Sequence, residues 1–166
     1  MGEETPLVAV LVGSASDEEQ IRPCRQALQR FGIPHEARVL SAHRTPDDLV
    51  EYVTGLRERG VEIVVAGAGM AAHLAGVVAA HTTLPVLGVP MSSGALQGID
   101  ALLSTVQMPP GVPVATLGIG AAGARNAAYL CARILAGRHP EVAQRMAEVL
   151  EADRERVLGA SLPPID

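Results

Sequence analysis

Five short runs rich in Val, Ile and Leu punctuate the chain, at residues 7–12, 36–40, 61–66, 85–89 and 112–119. Their length and β-branched content predict strands. Most are apolar almost throughout, the pattern of strands covered on both faces, whereas Glu36 to Leu40 alternates like a half-buried strand. Stretches with helical spacing separate them, at 17–31, 46–59, 71–80, 96–105 and 121–136. Gly32-Ile33-Pro34 and Gly60 supply C-terminal stop signals for the first two helices.

Strands alternating with helices predict an α/β domain: three layers, αβα, around a doubly wound five-stranded parallel sheet of flavodoxin-like type. An additional C-terminal helix is predicted at about 139–158, with Val142, Met146, Val149, Leu150, Val157 and Leu158 near one face and charge on the other. The sheet unit is complete without it. Its apolar stripe is therefore expected either on its own domain or across a subunit boundary. Residues 1–166 read as one domain with its core at about 7–136, and the Pro-rich tail 162–166 is expected to fray.

Composition sharpens this picture. A chain of 166 residues can bury a real core, but there is no Trp, one Phe (Phe31) and two Tyr (Tyr52 and Tyr129). Aliphatic side chains and Ala must fill it. All 13 basic residues are Arg, so a P-loop lysine, a Schiff-base lysine and a lysine general base are impossible. A net charge of -5 and the lack of aromatic stacking platforms argue against nucleic-acid partners. Cys24 and Cys131 stand far apart with no CxxC, which disfavours a disulfide scaffold or zinc site and suggests small core or helix residues. No apolar run approaches a membrane span and no signal core opens the chain, so a cytoplasmic location is expected.

The densest chemistry is Ser41-Ala42-His43-Arg44-Thr45-Pro46, between a predicted strand and a predicted helix. Thr45 suits the helix cap, Pro46 its first turn, and Asp47 and Asp48 its positive end. That places His43 and Arg44 at a strand's carboxyl end, where open α/β sheets bind ligands. Arg44 with Ser41 suits a phosphate or carboxylate, and His43 suits proton transfer near neutral pH. A plain helix-capping turn is the alternative.

Three glycine loops follow strands. Gly13-Ser14-Ala15-Ser16-Asp17 offers hydroxyls and amides at a helix start, an anion cradle. Gly67-Ala68-Gly69-Met70-Ala71-Ala72 and Gly118-Ile119-Gly120-Ala121-Ala122-Gly123 fit the dinucleotide fingerprint, yet neither has the ribose-binding acid after the next strand. Both therefore read as tight turns permitting close backbone approach, and a nicotinamide oxidoreductase is disfavoured. His73 follows the second loop; His35, His81 and His139 read as surface, packing or capping residues. His43 and His73 lack a third metal ligand at a recognisable spacing, so no metal is expected.

Gly13-Ser14-Ala15-Ser16-Asp17, Ser41-Ala42-His43-Arg44-Thr45-Pro46, Ala66-Gly67-Ala68-Gly69, Ala71-Ala72-His73-Leu74, Leu84 to Pro90 and Val106-Gln107-Met108-Pro109 together resemble the PurE family, in order and spacing, over about residues 7–136. These are the 5-(carboxyamino)imidazole ribonucleotide mutases of purine biosynthesis. The resemblance implies a cofactor-free isomerase, needing neither metal nor biotin, that moves a carboxyl group from the exocyclic nitrogen to C4 of the imidazole, and a homo-octamer with shared sites. It implies that Ser16, Ser41 and Arg44 hold the phosphate, Asp17 the ribose, and that Ser14 lines the same pocket. His43 would be the acid/base with His73 as the second catalytic residue, and His73 with the Gly67 to Ala72 backbone, including the substrate-binding Gly69, Met70 and Ala71, would enclose imidazole and carbon dioxide.

Met70 stands where the family usually has Gly, Ala75 where it usually has Pro, and Glu18 where bacterial members often have Trp. A positive φ at Met70 would strain the backbone, and its side chain would crowd the pocket. Two alternatives remain within reach of these residues. The related carboxylase branch uses free carbon dioxide, but its members carry Lys at the Arg44 position and lack the Ala72-His73 pairing. A non-catalytic nucleotide-binding module would keep Ser16, Ser41 and Arg44 without needing His43 and His73.

Overall fold

The computed structural model describes residues 5–162, so residues 1–4 and the tail 163–166 lie outside it. Its strands are β1 (Val8–Val12), β2 (His35–Val39), β3 (Ile63–Gly69), β4 (Val86–Met91) and β5 (Ala115–Thr116). The helices are α1 (Glu18–Arg30), α2 (Pro46–Thr54), α3 (Leu74–His81), α4 (Ile99–Val106), α5 (Gly120–Leu135) and α6 (Pro140–Leu158). All strands pair in parallel in the order β2-β1-β3-β4-β5. The chain steps from β1 out to β2, then returns past β1 to β3, which puts the switch point of a doubly wound sheet between β1 and β3.

The two-residue period of the strands divides the core into two layers. Val8, Val10, Val12, Ile63, Val65, Leu87, Val89 and Met91 point to one face, where α1 and α5 cover them with Ile21, Cys24, Leu28, Ala124, Ala128 and Cys131. Ala9, Leu11, Val64, Ala66 and Val86 point to the other, beneath Leu49, Val53, Leu74 and Val78 of α2 and α3. Small residues on α5 let it approach α1 closely, so a chain with almost no aromatics still reaches complete burial. Burial at about 25 cal/mol per Å² of apolar surface makes these two layers the main source of stability.

Several boundaries differ from the sequence reading, for identifiable reasons. β2 is an edge strand whose Ala37, Arg38 and Val39 are exposed rather than half-buried. β5 shrinks to two residues, because Pro113 offers no N–H and only Leu87↔Ala115 and Gly88↔Thr116 pair. α2 ends at Thr54, where Gly55 turns its N–H to Val53 O, and tight turns continue to Gly60. Positive φ at Met70 and at Gln97 and Gly98 delays α3 to Leu74 and α4 to Ile99.

α6 divides in two. Val142 and Val149 are buried and Met146 packs against the same core layer, so the first half covers its own domain. Val157 and Leu158 are exposed. A longer apolar stripe lies elsewhere, on α4, where Ile99, Leu103 and Val106 are all about half exposed. Among the described residues no helix is long and apolar enough to cross a membrane.

Candidate active site

The carboxyl ends of β1, β2, β3 and β4 surround a cleft of about 510 Å³. Gly13, Ser14, Ser16 and Asp17 enter it after β1, and Ser41, His43 and Arg44 after β2. Gly69, Met70, Ala71 and His73 follow β3. Every site residue expected from the sequence therefore reaches one cleft.

After β1 the chain makes a 3-10 turn, Ala15–Asp17, closed by a reciprocal cap. Ser16 N donates to Ser14 Oγ (3.3 Å), while Ser14 N donates to Asp17 Oδ2 (3.1 Å). Ser16 Oγ also donates to Ser14 Oγ (2.8 Å). Burial pushes the Asp17 carboxyl above its ordinary value, opposed by the Ser14 amide and the nearby Arg44 charge.

The turn after β2 is pinned differently from the simple cap its sequence suggests. Thr45 occupies the cap position of α2, but its hydroxyl makes no capping bond there. Thr45 Oγ1 instead accepts from Ser41 N (2.9 Å) and donates to Ser41 O (3.2 Å). Ser41 Oγ accepts from the amides of His43 (3.3 Å) and Arg44 (3.2 Å). The guanidinium of Arg44 reaches Ser41 Oγ (3.5 Å) and Gly13 O (2.9 Å), both neutral oxygens. Asp17 feels its charge, but among the described residues no carboxylate forms an ion pair with it, which leaves a seat suited to an anion.

His43 Nε2 and His73 Nδ1 lie 2.7 Å apart, with ring planes inclined at 74°. At that separation one ring donates a hydrogen and the other accepts it, so the tautomers of the two rings are linked. Among the described residues no group of three or more His, Cys, Asp or Glu side chains is placed to hold a metal ion.

Two contributors were not anticipated. Ser93 lines the cleft from the end of β4, close enough to Gly69 that a side chain there would collide with its hydroxyl. Gln20 on α1 anchors that segment, accepting from Ser92 N (2.8 Å) and donating to Ser92 O (2.9 Å). The run Ser92-Ser93-Gly94 directly after an apolar strand was the available signal. Met70 has φ 56° and its side chain is 61% exposed at the cleft. The remaining His residues lie apart from the cleft, and His139 Nε2 donates to Glu62 Oε1 (2.6 Å) near the opposite end of the sheet.

The arrangement combines an anion seat, a proton-transfer pair and an apolar wall contributed by Ala42, Ala68 and Leu74. The chain as a whole is similar to several known proteins. The N5-carboxyaminoimidazole ribonucleotide mutase of Bacillus subtilis is 51% identical over 94% of this chain and 96% of its own length. That of Saccharolobus solfataricus is 51% identical over 95% and 98%. The crystal structure of Treponema denticola PurE superposes with a TM-score of 0.80 at 27% identity, covering 92% of this chain and 94% of the other. The model of the AIR carboxylase family matches residues 7–156, and the chain belongs to that family.

Proposed function

We infer that the protein is an N5-carboxyaminoimidazole ribonucleotide mutase, an isomerase of purine biosynthesis. The observation that carries the site assignment is the contact between His43 and His73 beside Arg44, which forms no ion pair among the described residues. Arg44, Ser41 and Ser16 receive the phosphate, Ser14 shapes the same seat, and Asp17 accepts from the ribose hydroxyls. His43 gives a proton to the carbamate nitrogen, whose bond to the carboxyl carbon then breaks and releases carbon dioxide and aminoimidazole ribonucleotide. C4 attacks that carbon dioxide, and His43 takes back the C4 proton, so the proton account closes without a cofactor. His73 orients His43, and the backbone of Gly69, Met70 and Ala71 encloses the imidazole. Holding the gas beside C4 turns the second step into a unimolecular one.

We place the enzyme in the cytoplasm, in keeping with its two free cysteines. It works as a homo-octamer, the assembly implied by the family resemblance. The exposed stripe of Ile99, Leu103 and Val106 on α4 supports a subunit contact better than α6, whose first half is already covered. Light scattering checks the assembly, and a monomer at micromolar concentration would refute it. For the reaction, purified protein is offered the carbamate substrate and, separately, aminoimidazole ribonucleotide with bicarbonate. The 4-carboxy product should form rapidly from the carbamate alone; formation only from bicarbonate would identify a carboxylase.

A further inference from the structure

We propose that Ser93 is a further substrate-contacting residue, its hydroxyl meeting the carboxyl group on the imidazole, and that Gln20 positions it; the assignment rests on the mutase reading above. The register of the sheet creates the need for such a support. β3 and β4 stop pairing at Gly69↔Met91, so Ser92 has no partner in the sheet. The segment that follows is irregular, with positive φ at Gly94, Gln97 and Gly98, and residues 94–97 are exposed.

The Gln20 side chain takes the place of the missing strand. A carboxamide carries a donor and an acceptor side by side, as a peptide group does, and both are used on Ser92. Nε2 donates to Ser92 O at 2.9 Å, and Oε1 accepts from Ser92 N at 2.8 Å. Two parallel bonds fix the direction of the chain as well as its position. Gln20 stands in the first turn of α1, three residues beyond Asp17, and its neighbour Ile21 is buried in the core. The clamp therefore ties the turn after β1, which bears Ser16 and Asp17, to the segment after β4 on the far side of β3.

What the clamp delivers is the next residue. Ser93 lines the cleft, and a side chain at Gly69 would collide with its hydroxyl, so that hydroxyl lies against the backbone assigned to the imidazole. The hydroxyls of Ser14, Ser16 and Ser41 are engaged with one another or with backbone amides. Among the described residues Ser93 Oγ makes no hydrogen bond, which leaves its capacity for a ligand. Arg44 follows β2, at the opposite side of the cleft from β4, so a ribonucleotide with its phosphate at Arg44 turns its imidazole towards Ser93. A carboxylate is the strongest acceptor at that end, and the hydroxyl hydrogen can rotate to meet it on the exocyclic nitrogen before transfer or on C4 afterwards.

The test is calorimetry on the full chain with 4-carboxy-5-aminoimidazole ribonucleotide and with aminoimidazole ribonucleotide, which lacks the carboxyl group. S93A should weaken the carboxylated ligand by about tenfold or more, the scale of a hydrogen bond to a charged group, and leave the other within about twofold. Q20A should act in the same direction, and the double variant should lose no more than S93A alone, since Gln20 acts through Ser93. Unchanged affinity in S93A, or equal losses for both ligands, would overturn the substrate contact. Losses that add in the double variant would overturn the positioning role. Either result, with wild type converting the carbamate, would leave the mutase reading standing; a wild type that converts none would remove both.

Discussion

The two ends of the sheet treat charge in opposite ways. At the amino ends of β3 and β4 a hollow of about 390 Å³ is lined by Arg57, Glu62 and Arg138. There Glu62 pairs with both His139 (2.6 Å) and Arg138 (3.4 Å), and Arg57 donates to Thr83 Oγ1 (2.8 Å). At the carboxyl ends, Arg44 is fixed by neutral oxygens and His43 meets only another imidazole. Both ends of the sheet carry arginine and histidine. What distinguishes them is that Arg138 and His139 pair with the Glu62 carboxylate, whereas among the described residues neither Arg44 nor His43 forms an ion pair. Residue composition alone would not separate a ligand site from a structural ion network; partner identity does.

The largest expected contrast is in turnover. His43→Asn should lower turnover by about 10²- to 10⁴-fold with substrate binding retained, the usual contribution of a general acid-base group. His139→Asn, at the satisfied end, should stay within about threefold of wild type, since it touches no reacting atom. Steady-state kinetics on both variants decides, and comparable losses would erase the distinction between the two ends.

A smaller effect is expected on affinity. Arg44→Lys loses the planar fork, so ribonucleotide binding should weaken by about 10- to 100-fold, the scale of charged hydrogen bonds. Affinity for the phosphate-free riboside should hardly change. Calorimetry with both ligands makes the comparison, and Arg138→Lys should leave both constants as they are. Equal losses for nucleotide and riboside in Arg44→Lys would move the phosphate elsewhere.

The smallest effect concerns stability and pH. Burial raises the Asp17 carboxyl above its ordinary 3.8 in the folded protein, so folding favours the protonated form. Its favourable contribution is complete below that ordinary value and is lost as pH rises through the folded one. Asp17→Asn stays neutral, so its melting midpoint should gain on wild type as pH rises from acid towards neutrality, while ribonucleotide binding weakens. A difference in midpoint that does not vary with pH would show that Asp17 carries no such cost.

Much of this was legible from local pattern. β1, β3 and β4 are continuous apolar runs because both faces are buried, and that signal needs no tertiary information. The motif after β1 could be assigned to a strand end for the same reason, and the one after β2 from the alternation of Glu36 to Leu40 and the helix-start signals at Thr45 and Pro46. The distance between His43 and His73 could not. They follow β2 and β3, 30 residues apart in sequence, and meet only because β1 lies between those strands in the sheet. The Gln20 clamp on Ser92 depends likewise on α1 bringing Gln20 to the segment after β4, 72 residues away in sequence. The exposure of β2 and the brevity of β5 follow from their edge positions, which residue alternation does not reveal. At Thr45 the cap signal was genuine, but a hydroxyl has several neighbours to choose from and took Ser41.

Cys24 on α1 and Cys131 on α5 are both wholly inaccessible within the layer those helices form. Burial pushes the Cys24 thiol up to about 12 and raises Cys131 as well, so neither offers a thiolate to solvent in the native fold. A thiol reagent can reach them only during excursions that part α1 from α5. With no other cysteine in the chain, the modification rate of the untouched protein is a clock for that parting, and slow labelling reads out its free-energy cost.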